Sequence, residues 1–158
     1  MSAIHKINIK HLAISLAISL GTGILAGLLT MGSMEQFEQI SKPPLSPPGI
    51  VFPIVWFILY TLMGVSSYII YESQGENRTK ALAVYAIQLV VNFIWPILFF
   101  NLDAYLLSFI WIMILWVLII IMLIEFRKIS KTAFWLQIPY LIWVTFAAYL
   151  NFGVFLLN

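Results

Sequence analysis

The sequence predicts an all-α integral membrane protein, a five-transmembrane-helix bundle folded as one domain over residues 1–158. Five long apolar stretches account for nearly the whole chain. Hydrophobic residues make up 63% of it and charged residues 9%, too few to give a water-soluble domain a polar surface. The few basic residues sort to one side of those stretches, as loops of a membrane protein do. Each stretch can cross a hydrocarbon core of about 30 Å at about 1.5 Å per helical residue.

The first span, 12–31, has the basic start of a signal peptide. Its apolar run is too long for one and no A-x-A cleavage site follows, so it reads as a retained helix. Ser15, Ser19, Gly23 and Gly27 recur every four residues and form a ridge of small side chains, suited to close packing within the monomer or to a homodimer contact. The next segment, 32–49, holds Pro43, Pro44, Pro47 and Pro48, which fix φ and remove four backbone donors. It is expected to be stiff and extended rather than helical, and to serve as a rigid connector or as a lid. The other spans, 50–71, 81–100, 104–124 and 133–157, are joined by brief links at 72–80, 101–103 and 125–132. Links this short make successive helices antiparallel neighbours.

Lys6, Lys10, Arg78, Lys80, Arg127, Lys128 and Lys131 fall on one side of the spans and only Lys42 on the other. Seven against one predicts a cytoplasmic N-terminus and an outside C-terminus. There is no cysteine, hence no disulfide and no thiol chemistry. No acidic, basic or histidine side chain lies inside a span as delimited here, which argues against an ion pump or a proton-coupled antiporter. His5 and His11 sit at the N-terminus, so paired imidazoles cannot bracket a haem in the bundle. Serine, histidine and acidic residues do not converge, which removes the usual hydrolytic arrangements. Neither a cofactor, a metal nor a nucleic-acid partner is expected.

Helical spacing places Trp56, Tyr60 and Gly64 on one face of the second span. Gln88, Asn92, Trp95 and Phe99 share a face of the third, and Tyr140, Trp143, Ala147 and Asn151 a face of the fifth. An aromatic stripe in a membrane helix is more often packing than a ligand site. Asn92 and Asn151 shift that balance, because an amide in hydrocarbon must find a partner and so faces another helix or a cavity. Pro53, Pro96 and Pro139 are expected to interrupt the same three helices and open space between them. A concave aromatic pocket with a few oriented amides suits a flat, largely apolar molecule.

The run Lys42-Pro43-Pro44-Leu45-Ser46-Pro47-Pro48-Gly49, with Phe52-Pro53-Ile54-Val55-Trp56 and Leu59-Tyr60, resembles the first loop and second helix of the TspO/translocator family, the tryptophan-rich sensory proteins or peripheral benzodiazepine receptors. Asn92-Phe93-Ile94-Trp95-Pro96 with Phe99-Phe100 is similar to its third helix, and Pro139-Tyr140-Leu141-Ile142-Trp143 with Leu150-Asn151 to its fifth. The likeness runs through essentially the full chain in order. It implies a bacterial member in the cell membrane, a five-helix bundle and commonly a homodimer. The ligands it implies are porphyrins of the protoporphyrin type and isoquinoline-carboxamide or benzodiazepine-type drugs, held beneath the first loop. By motif, Trp56, Asn92, Trp95, Trp143, Ala147 and Asn151 carry over as cavity lining, with Tyr60 and Pro47 beside them. Light- and oxygen-dependent degradation of porphyrin, reported for some bacterial members, is implied for Trp56 and Trp143, whose indoles would donate an electron or hydrogen to the excited ring. The animal sterol motif does not carry over, since Asn151-Phe152-Gly153-Val154-Phe155 leads to Asn158 without its tyrosine and basic residue. The reading is a membrane receptor or sensor of porphyrins. Its rivals are a porphyrin carrier, which the lack of a coupling-ion site and of inverted repeats weakens, and a regulatory scaffold.

Overall fold

The computed structural model describes residues 6–158, so His5 lies outside the described residues. The helices are α1 (Ile9–Thr30), α2 (Met34–Gln39), α3 (Val51–Glu72), α4 (Arg78–Pro96), α5 (Tyr105–Ile129) and α6 (Lys131–Leu157). Five of these stretches are long and apolar enough to cross a membrane, the first continuing from α1 through a 3₁₀ turn into α2. The long helices close into a ring in which α1 packs on α3 and α4, α3 on α6, and α5 on α4 and α6.

Helix ends follow local chemistry. α1 starts at Ile9, three residues ahead of the apolar run, because the Asn8 side chain caps it by accepting from the His11 N–H at 3.1 Å. Ser130 caps α6 in the same way, accepting from the Ala133 N–H at 3.2 Å. α5 runs on to Ile129, past the expected 124, with Arg127 and Lys128 in its last turn, where the helix dipole favours cations. Glu125 is thereby drawn into a helix and buried, with Lys80 at 3.1 Å and Lys128 at 2.9 Å. It ties the start of α4 to the end of α5.

Two expectations about proline need correction. The segment 32–49 is not extended throughout: Met31–Ser33 forms the 3₁₀ turn and Met34–Gln39 is the helix α2. All four prolines of that segment follow α2, so nothing in Met34–Gln39 forbids a helix. Pro53 does not interrupt α3 either. It is the third residue of that helix, where an N–H has no intrahelical partner to lose. α6 continues through Pro139. Only Pro96 marks a break: Ile97–Asn101 is a π-helical turn, with the Leu102 N–H reaching the Ile97 carbonyl at 3.1 Å.

The core lies among α3, α5 and α6, where Met63, Ile70, Ile112, Leu115, Tyr140 and Val144 are fully buried. Apolar side chains also cover the outside, including Ile14, Ile18 and Leu28 on α1 and Ile110, Ile114 and Val117 on α5. Such a surface is a liability in water and matches hydrocarbon in a bilayer. Part of the small-residue ridge of α1 is spent inside the monomer. Ser19 packs on Gly64, where an added Cβ would come within 3.0 Å of the Leu16 Cα, and a Cβ on Gly23 would overlap the Tyr60 ring.

Candidate functional site

A cavity of about 390 Å³ opens between α1, α3 and α4 beneath α2. Its volume falls within the range of about 300–1,000 Å³ typical of small-molecule sites. Trp56 and Tyr60 of α3 and Asn92 and Trp95 of α4 line it, and their four-residue and three-residue spacings put each pair on one helical face. The opposite wall is α1. Gly23, Ala26 and Gly27 carry too little side chain to fill the space, and an added Cβ on Gly27 would have no atom within 4 Å.

Asn92 organises the inner end. Tyr60 Oη donates to Asn92 Oδ1 at 2.5 Å, Asn92 Nδ2 donates to Tyr140 Oη at 2.7 Å, and Tyr140 Oη donates to Gln88 Oε1 at 2.7 Å. All four side chains are buried, so this chain joins α3, α4 and α6 in a place where an unpaired polar group would be costly. Trp56 stands over it, with ring centroids 5.6 Å from Tyr60 and 6.4 Å from Tyr140.

The remaining expected site residues lie elsewhere. Pro47, Ala147 and Asn151 border a crevice of only about 20 Å³, which Trp95 also lines. Asn151 is committed at both ends of its amide: Trp95 Nε1 donates to its Oδ1 at 3.0 Å, and its Nδ2 donates to the Tyr105 carbonyl at 2.9 Å. Trp143 touches neither space. It packs against Phe52 at 5.8 Å and Phe146 at 5.6 Å, and its indole N–H is buried without a partner. Phe52 is the ring that separates it from the cavity.

The roof comes from the segment between α1 and α3. Phe37 of α2 sits against Phe52, Phe99 and Phe100 at 6.2, 5.8 and 5.1 Å, while Met34 and Gly49 reach the cavity itself. The proline run is fastened to α6. Pro43 fills the space beside Gly153, the Tyr149 hydroxyl donates to the Pro44 carbonyl at 2.8 Å, and Asn158 brackets Ser41 with bonds of 3.2 and 2.8 Å. Leu45 is held at φ 69°, a left-handed conformation that leucine rarely adopts. At the same end Asn101, the last residue of the π turn, donates to the Leu29 carbonyl at 2.9 Å and accepts from Ser33 at 2.8 Å, clamping α4 to α1.

Sequence reasoning did not identify the α1 wall or Phe37. The recurrence of Gly23 and Gly27 was the signal for the first, but glycines show only that something approaches or nothing fills the space. For Phe37 there was none beyond an aromatic residue in a linker.

A profile of the TspO/MBR family matches residues 13–157. The chain is 33% identical over 153 residues to the tryptophan-rich protein TspO of Chlorobaculum tepidum, covering 95% of this chain and 97% of that one. It is 34% identical over 124 residues to the tryptophan-rich sensory protein of Cereibacter sphaeroides, covering 78% and 77%. To the translocator protein of Ovis aries it is 34% identical over 119 residues, covering 73% and 70%.

Proposed function

The chain belongs to the TspO/MBR family of integral membrane proteins, and from that premise we propose that it is a membrane receptor or sensor for flat, largely apolar ligands, protoporphyrin-type tetrapyrroles foremost. The observation that carries the reading is the roofed cavity itself, with two indoles and a phenol for stacking and one anchored amide. Isoquinoline-carboxamide and benzodiazepine-type molecules have the same flat aromatic character and fit the same description. The names of relatives as a sensory protein and as translocator proteins agree with a receptor of small molecules. We place the N-terminus in the cytoplasm and the C-terminus outside, on the seven-to-one distribution of basic residues.

Photochemical degradation of a bound porphyrin is the finer part of the proposal. Trp56 borders the cavity and is the indole placed to donate to an excited ring, whereas Trp143 stands behind Phe52.

Gly27→Phe tests the site. Its side chain would project into open space at the cavity wall, so the protein should fold and span as before while losing protoporphyrin binding at least tenfold, read by quenching of tryptophan fluorescence. Unchanged affinity in a folded Gly27→Phe protein would move the ligand out of this cavity and overturn the assignment.

A further inference from the structure

Gly23 and Gly27 stand one turn apart on α1 and meet opposite surroundings. A Cβ on Gly23 would overlap the Tyr60 ring of α3, whereas a Cβ on Gly27 would have no atom within 4 Å. The two helices therefore touch at Gly23 and have parted one turn nearer the roof. Ile24, Gly27 and Met31 form the α1 edge of the gap, and Pro53 and Phe57 the α3 edge. All five line the cavity and all five are exposed as well, Ile24 at 62%, Met31 at 67% and Phe57 at 64%, so they stand at an opening and not along a closed wall. The other borders are held shut. Asn101 stitches α4 to α1 through Leu29 and Ser33, Met34 and Gly49 cover the roof end, and the bonded side chains of Tyr60, Asn92 and Tyr140 fill the inner end.

The depth of this slit decides what can pass it. Ile24 and Phe57 each lie about 9 Å in from the roof end of a membrane-spanning helix, at about 1.5 Å per residue, and so face acyl chains. None of the five rim residues carries a charge or a side-chain N–H or O–H. A hydrated molecule would lose its water there and gain no hydrogen bond in return, whereas a molecule already dissolved in hydrocarbon crosses without that cost. We propose, resting on the reading of this cavity as a ligand site, that it is loaded and emptied sideways from the bilayer through the slit between α1 and α3, with Ile24 and Phe57 setting its width. Access thus selects for molecules that partition into the membrane before they bind. A doorway also has its own kinetic mark. Changing a wall contact alters mainly dissociation, but a residue that the ligand meets only in passage alters association and dissociation together.

The experiment uses the full chain in phosphatidylcholine nanodiscs and has two arms. The first needs no ligand. A small uncharged aryl diazirine dissolved in the bilayer should, on photolysis, leave adducts on Trp56 and on Asn92, which line the cavity and of which Asn92 is only 2% exposed. A sulfonated aryl diazirine confined to water should leave both unlabelled. The second arm follows protoporphyrin by stopped-flow. The chain has no cysteine, so Ile24→Cys with Phe57→Cys places a unique thiol pair across the slit. Bridging the pair with a bifunctional methanethiosulfonate linker should slow association and dissociation in step, each at least tenfold, and a reductant should restore both. Phe57→Ala should speed both several-fold. Labelling of Asn92 from water but not from the bilayer, or rates indifferent to the bridge, would overturn the proposal. Protoporphyrin failing to bind even the unbridged protein would instead overturn the ligand assignment, and the diazirine arm would then decide the doorway by itself.

Discussion

Replacing Asn92 by Leu would strand the Tyr60 hydroxyl in the bundle interior and leave the Tyr140 hydroxyl with Gln88 alone. Stability should fall by about 1–3 kcal/mol, the cost of buried unsatisfied polar groups, and ligand affinity in the remaining folded protein should drop as well. Asn151→Leu should behave differently. Its amide already serves Trp95 and the Tyr105 carbonyl, so thermal stability should fall by about 0.5–2 kcal/mol with affinity changed less than about twofold. Thermal unfolding and protoporphyrin titration of the two variants side by side distinguish the roles. The tryptophans divide in the same manner. Trp56→Phe keeps a ring for stacking and removes the easily oxidised indole, so light-dependent loss of the porphyrin absorbance should slow at least fivefold at equal occupancy. Trp143→Phe, behind Phe52, should slow it less; the reverse order would assign the electron donor to the wrong indole. Helical spacing identified the faces that carry these residues. It could not separate Asn92 from Asn151 or Trp56 from Trp143, since periodicity shows which way a side chain points and not which neighbour it meets.

At the scale of elements, α2 is the piece that most changes the functional picture. Composition hid it: six residues are too few to show a helical period, and the prolines after them dominate the reading of the segment. In the folded chain Phe37 closes the roof over Phe52, Phe99 and Phe100, while the prolines stiffen the tether that follows. Phe37→Ala should therefore raise the ligand dissociation rate several-fold, measured by stopped-flow displacement, with a smaller effect on association. Replacing Pro43, Pro44, Pro47 and Pro48 by Gly or Ser should act in the same direction. An unchanged dissociation rate in both would leave the segment as a connector. The long helices were legible because their length and apolarity are uniform signals, and their ends were not, because caps and ion pairs such as those of Asn8 and Glu125 depend on single residues.

For the whole molecule, the ring of five helices puts Lys10, Arg78, Lys80, Arg127, Lys128 and Lys131 at one end and the roof at the other. A reporter active only in the cytoplasm should work when fused to the N-terminus and fail at the C-terminus; activity from the C-terminal fusion alone would invert the topology. The family and the bundle could be read from the sequence, since loop motifs and spans survive in linear order. The division of the aromatic residues between an open cavity and a closed crevice could not, because it depends on how α1 is set against α3.

Part of the roof is fastened away from the walls that line the cavity. Its proline run is pinned to the last turns of α6, through Gly153, Tyr149 and Asn158, and α6 contributes no lining to the cavity. Thermodynamic linkage is reciprocal: whatever free energy the α6 tail lends to holding the roof shut over a ligand, the ligand returns to the tail. A ligand seated in the cavity under α2 should therefore raise the protection of the last turns of α6 against hydrogen exchange, although those turns lie outside the site.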